Sequence, residues 1–102
     1  MGYKILVVDD TKVNRELLKE LLLSNNKKFN ILTAENGKEG FDIAVQELPD
    51  LILMDIRMPE VDGLKAIRML REENLTKDIP VIAITAYENP KNLEQAFKLG
   101  AI

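Results

Sequence analysis

The sequence predicts an α/β fold, a doubly wound parallel sheet, from three observations. Short apolar runs alternate strictly with stretches of helical spacing, giving the order βαβαβαβα. Three of those runs, ILVV, LILM and VIAI, are apolar throughout, as strands covered on both faces must be. Every connection is short, about two to eight residues, as compact βα units require.

Each element has its own justification. YKILVV (3–8) is a β-rich apolar run that reads as the first strand. TKVNRELLKELLLSNN (11–26) has helical spacing, with Val13, Leu17 and Leu21 in one row and Leu18 and Leu22 beside it. Asn25 and Asn26 suit its end. FNILTA (29–34) mixes polar and apolar residues and reads as an edge strand. A second helix is predicted over 36–48, with Phe41, Ala44, Val45 and Leu48 inward, and Pro49 bars its continuation. Asn36-Gly37 reads as its entry or as a turn. LILMD (51–55) is the third strand. DGLKAIRMLREEN (62–74) is a helix with Asp62 placed to cap it, and IPVIAIT (79–85) is the fourth strand. PKNLEQAFKLG (90–100) closes the pattern as a helix that opens on Pro90 and ends on Gly100.

Composition bounds the chemistry. The 102 residues suffice for one domain, 1–102, with a single core. Apolar residues at 46% and charged residues at 30% belong to a globular chain, not a disordered one. The net charge of −3 supplies no basic field for nucleic acid or an anionic membrane. No apolar run approaches membrane-spanning length, and the N-terminus carries neither a signal-peptide pattern nor a myristoylation signal. Cysteine is absent, which excludes disulfide and thiolate chemistry and fits the cytoplasm. Histidine is absent too, so any chemistry must run on carboxylates, hydroxyls, lysines and backbone.

Two of the three apolar strands run straight into acid. ILVV meets Asp9 and Asp10, and LILM meets Asp55; VIAI ends in Thr85. Parallel strands deliver their C-terminal ends to one edge of the sheet, where ligands of such folds bind. Neighbouring strands lie about 5 Å apart, so these carboxylates are expected together. Three that close repel unless a cation sits among them, and with only oxygen ligands to hand Mg²⁺ is the natural match. Blander readings stand beside this one. Asp10 precedes a helix and could simply cap it; Thr85 could be an ordinary strand-end hydroxyl. Met54, Met58 and Met69 read as packing residues, and the charged stretches REEN and NKK as solvated loops.

ILVVDD, LILMDIRMPEVDG and VIAITA, in this order and spacing, resemble the receiver domain of two-component response regulators over essentially the whole chain. DDTKVNRELLKELL is similar to receivers that stand alone or are attached to hybrid sensor kinases. The resemblance implies a flavodoxin-like fold, of which four βα units are present. It also implies that Asp55 is the phosphoacceptor, receiving a phosphoryl group from a histidine kinase or a histidine phosphotransfer protein. Asp10, Asp55 and the backbone carbonyl of Arg57 would hold Mg²⁺, with Asp9 helping through water. Thr85 would donate its hydroxyl to the phosphoryl group, with backbone amides near Arg57 and Ala86. Arg57 and Tyr87 would tune phosphoaspartate hydrolysis. Such a domain is not an enzyme with a separate substrate; it assists its own phosphorylation and dephosphorylation.

The sequence also departs from the family. A receiver continues into a fifth strand with a Lys-Pro pair and then a fifth helix, whereas this sequence ends at KLGAI. Lys91 and Lys98 lie on the fourth helical stretch and do not match that lysine, so impaired signalling is expected. An uncovered VIAIT edge leads to a further expectation, a homodimer or a segment-swapped oligomer. The alternative function is therefore an oligomerising, protein-binding module. VVDDTKV bears a loose likeness to haloacid dehalogenase-type phosphotransferases, but their Asp-x-Asp spacing is not met, and no phosphate-binding Gly-x-x-x-x-Gly-Lys occurs.

Overall fold

The structure, a computed structural model, describes residues 3–55 and 63–84. Four strands and three helices alternate: β1 Lys4–Val8, α1 Lys12–Asn25, β2 Asn30–Ala34, α2 Gly37–Glu47, β3 Leu51–Asp55, α3 Gly63–Glu72 and β4 Val81–Ile84. All pairings are parallel, in the order β2-β1-β3-β4. This is the doubly wound architecture the alternation predicts, with FNILTA at an edge. The fourth helical stretch, 90–100, and the Asp62 cap lie outside the described residues. So do residues 85–102, on which the expected exposure of the β4 edge depends. Among the described residues no helix is long and apolar enough to cross a membrane.

Side-chain alternation along each strand divides the core in two. Leu6, Val8, Ile52, Met54 and Val81 face α2 and α3, where Ala44, Ala66, Ile67 and Leu70 close over them. Ile5, Val7 and Leu53 face the other way, toward Leu18 and Leu22 of α1. Met54 is fully buried, a packing residue as expected. The two central strands are thus apolar on both sides because both sides are covered.

Three details differ from the sequence-based expectation. In α1 only Leu18 and Leu22 pack on the sheet, whereas Val13, Leu17 and Leu21 are 73%, 52% and 54% exposed. Successive helix positions turn by about 100°, so two adjacent apolar rows compete for one sheet face. In α2, Asn36 caps the N-terminus by accepting from the Glu39 N–H at 2.8 Å, but Leu48 does not turn inward. The following Pro49 disfavours right-handed helical backbone at Leu48, which takes a left-handed conformation (φ 49°) and lies exposed. Finally, α3 ends at Glu72, two residues early. The buried Thr76 hydroxyl donates to the Leu70 carbonyl at 2.7 Å, and Arg71 donates to the Ile79 carbonyl at 2.8 Å. Those bonds tie a turn beneath the helix in place of another helical turn. Burial lowers the Arg71 pKa from its ordinary value, and the nearby Asp78 charge opposes that shift.

α2 lies on β1 closely enough to require glycine. A Cβ on Gly40 would stand 2.7 Å from Val8 Cγ2 and 3.1 Å from Val8 Cγ1. Valine in a central strand has little rotameric freedom to retreat. Gly40→Ala is therefore expected to destabilise the fold by about 1–3 kcal/mol, despite alanine's better helix propensity. The urea midpoint should fall, and combining Gly40→Ala with Val8→Ala should cost clearly less than the two single losses added together.

Candidate functional site

The parallel register that builds the core also builds the site. Val8 pairs with Met54, so the next residue of each strand, Asp9 and Asp55, leaves the same edge of the sheet side by side. Both are nearly buried, at 6% and 4% exposure, while Asp10 is exposed. Carboxylate oxygens of Asp9, Asp10 and Asp55 lie within 4.8 Å of one another. Like charges at such distances repel by about 1 kcal/mol per pair even at the dielectric of water, and by more where burial excludes it.

The turn from β1 into α1 holds two of the three acids. The Asp9 backbone continues the ladder, its N–H donating to the Ala34 carbonyl at 3.1 Å. Its side-chain Oδ1 accepts from the Thr11 N–H at 2.8 Å, closing a local turn. Thr11, not Asp10, is the N-cap of α1, and its side chain makes no cap bond. The Thr11 hydroxyl instead donates to Asp10 Oδ1 at 3.3 Å. Arg15 reaches back from the first turn of α1, and its Nη1 donates to the Asp9 carbonyl at 2.7 Å. The reading of Asp10 as a mere helix cap is thereby corrected: its carboxylate faces the acid cluster.

The predicted site residues divide into two sets. Asp9, Asp10 and Asp55 are brought together. Arg57, Thr85, Ala86 and Tyr87 lie outside the described residues, as do Lys91 and Lys98. Ile84, the residue before Thr85, is in register with Asp55. Two residues that sequence reasoning passed over, Thr11 and Arg15, contact the acids directly. The signal was available: a hydroxyl immediately after the acid pair, and a cation on the first helical turn, able to fold back over the strand end.

The donor set fits a hard divalent cation. The three groups are carboxylates, two of them nearly buried, and no nitrogen or sulfur ligand stands among them. Mg²⁺ takes one or two carboxylates and keeps several waters, which suits an acid pair fixed by strands beside an exposed third acid.

Comparison with known proteins identifies the company this arrangement keeps. The family model described as the response regulator receiver domain matches residues 5–102. The transcriptional regulatory protein YdfI of Bacillus subtilis is 42% identical over 98 residues, covering 96% of this chain. This chain spans only 45% of YdfI's length. The polar-differentiation response regulator DivK of Brucella anthropi is 37% identical over 87 residues, covering 85% of this chain and 69% of DivK. Among solved structures, the chemotaxis protein CheY4 of Vibrio cholerae superimposes with a TM-score of 0.89 at 25% identity, covering 99% of this chain and 82% of that one.

If the acid cluster takes a divalent ion, binding must stabilise the fold. Mg²⁺ at ten times its dissociation constant should add about 1.4 kcal/mol, a rise of a few degrees in thermal midpoint. Asp10→Asn should remove most of that rise, and Na⁺ at matched ionic strength should not reproduce it. Calorimetric melting with and without the ion reads both outcomes.

Proposed function

The chain belongs to the response regulator receiver domain family, and from that premise we propose that it is a phosphoacceptor in a two-component phosphorelay. Asp55 receives the phosphoryl group from a histidine kinase or a histidine phosphotransfer protein. The observation that carries this reading is the meeting of Asp9, Asp10 and Asp55 at one sheet edge. An Asp55 oxygen forms a bond to phosphorus while the P–N bond of the phosphohistidine breaks, and the electron pair of that bond stays on the imidazole nitrogen. Asp10, Asp55 and the Arg57 carbonyl would hold Mg²⁺, with Asp9 acting through water. The ion would screen the carboxylate from the phosphoryl oxygens and neutralise their charge. Thr85 and the amides near Arg57 and Ala86 would donate to those oxygens. The chain turns over no separate substrate, though it assists its own phosphorylation and hydrolysis.

The exposed row Val13, Leu17 and Leu21 supports a protein donor. It starts three residues after Asp10 and runs away from the acids along α1 as an exposed apolar strip. A second reading, an oligomerising module that pairs through β4 as a homodimer or segment-swapped oligomer, has one observation in its favour. Among the described residues β4 is, with β2, one of the two outermost strands, and its Ile82, Ala83 and Ile84 are only half-buried.

Incubation with acetyl phosphate and Mg²⁺ should add the mass of one phosphoryl group, and both EDTA and Asp55→Asn should abolish the adduct. No adduct under any donor, together with self-association at micromolar concentration, would favour the second reading. Leu17→Asp should slow transfer from a phosphohistidine protein while leaving acetyl phosphate labelling intact, because only the protein donor uses the apolar strip.

A further inference from the structure

Arg15 has no role in the chemistry described so far, yet its guanidinium reaches the strand end that carries the acids. Its Nη1 donates to the Asp9 carbonyl at 2.7 Å, and the side chain is partly buried against the β1–α1 turn. That carbonyl belongs to the peptide joining Asp9 to Asp10. A peptide is planar, so fixing its C=O fixes the plane and sets the direction in which the Asp10 Cα leaves it.

The rest of the turn is closed from the other side. Asp9 Oδ1 accepts the Thr11 N–H at 2.8 Å, and Asp10 Oδ1 accepts the Thr11 hydroxyl at 3.3 Å. Asp55 is the last residue of a strand paired on both sides and is nearly buried. Asp10 is exposed, lies outside any strand or helix, and depends on the turn for its position.

We propose that Arg15 is a positioning residue of the acidic site: by clamping the Asp9–Asp10 peptide it presents the Asp10 carboxylate beside Asp55 in the geometry a small divalent cation demands. This rests on the cation-binding part of the function proposed above. Mg²⁺ requires near-ideal octahedral geometry, whereas Ca²⁺ accepts a looser and more variable shell. A clamp of this kind therefore contributes to the choice of ion as well as to affinity. Partners that orient metal-binding side chains typically change affinity by 10–100-fold when removed.

The clamp has a competing effect of opposite sign. A guanidinium close to the site repels an incoming cation, so if charge were its only influence, removing Arg15 would tighten binding of every divalent ion. The guanidinium keeps its charge while bonded to a neutral carbonyl, so both effects act, and the sign of the change on removing Arg15 shows which is larger.

The test is calorimetric titration of Mg²⁺ and Ca²⁺ into the full chain, its Arg15→Met and Arg15→Lys variants, with thermal melting in EDTA alongside. Arg15→Met keeps the apolar stem and should weaken Mg²⁺ binding on the order of tenfold. Ca²⁺ should weaken less, so the preference for Mg²⁺ over Ca²⁺ falls. Arg15→Lys retains a charge and a donor but not the planar fork, and should recover part of the loss. Unchanged affinities with a lowered melting point would make Arg15 a fold staple only and overturn the proposal. Tighter binding of both ions would overturn it in favour of simple charge repulsion. Should Arg15→Met fail to fold, Arg15→Lys carries the test, and an unaltered ion preference there overturns the proposal equally. Failure of the unaltered chain to bind either ion is a separate result, which removes the cation-binding reading itself.

Discussion

The parallel register between β1 and β3 is the constraint from which the site follows. With Val8 opposite Met54, the chain has no freedom to separate Asp9 from Asp55 without breaking the ladder. Strands in a sheet lie about 4.8 Å apart, which is the scale on which the carboxylates are found. The acids are close because the residues before them are hydrogen-bonded and packed.

That packing is what tolerates the repulsion. Ile5, Leu6, Val7, Val8, Ile52, Leu53 and Met54 are all buried, and each such side chain contributes about 1.5–3 kcal/mol of gross hydrophobic stabilisation. Crowding the carboxylates costs less than the strands gain, so the folded chain holds an electrostatic conflict in place. A cation would relieve the conflict, and on the proposed function a transferred phosphoryl group, with its own negative charge, would make the cation still more necessary. Stability and the acid cluster are thus set by the same two strands, the first through their packed length and the second through the residues at their ends.

Arg15 also ties this edge to α1. It bonds to the Asp9 carbonyl from the side of the helix whose Leu18 and Leu22, three and seven positions on, pack against the sheet. Val13, Leu17 and Leu21, the neighbouring row about 100° round the helix, stay exposed. The sequence shows two adjacent leucine rows of similar hydrophobicity, and periodicity alone cannot choose between them. The packed row is the one that shares its side of the helix with the Arg15 bond to the Asp9 carbonyl, a polar contact that a hydrophobic pattern does not register. Elsewhere the pattern sufficed. Strands apolar on both faces required cover on both faces, and acids at the ends of neighbouring parallel strands could only converge. Leu48 was misplaced for a local reason, since helical spacing carries it inward until Pro49 forces its backbone left-handed.

On the proposed function Asp55 is the reactive carboxylate, and Asp10, held by its turn, is its partner toward a metal ion. The most direct measurement is a crystal structure of the chain grown with Mg²⁺ and beryllofluoride, a mimic of the phosphoryl group. Beryllofluoride should be bonded to an Asp55 carboxylate oxygen, with Mg²⁺ about 2.0–2.1 Å from oxygens of Asp10 and Asp55. Beryllofluoride on Asp9 or Asp10, or Mg²⁺ bound away from the sheet edge, would contradict it.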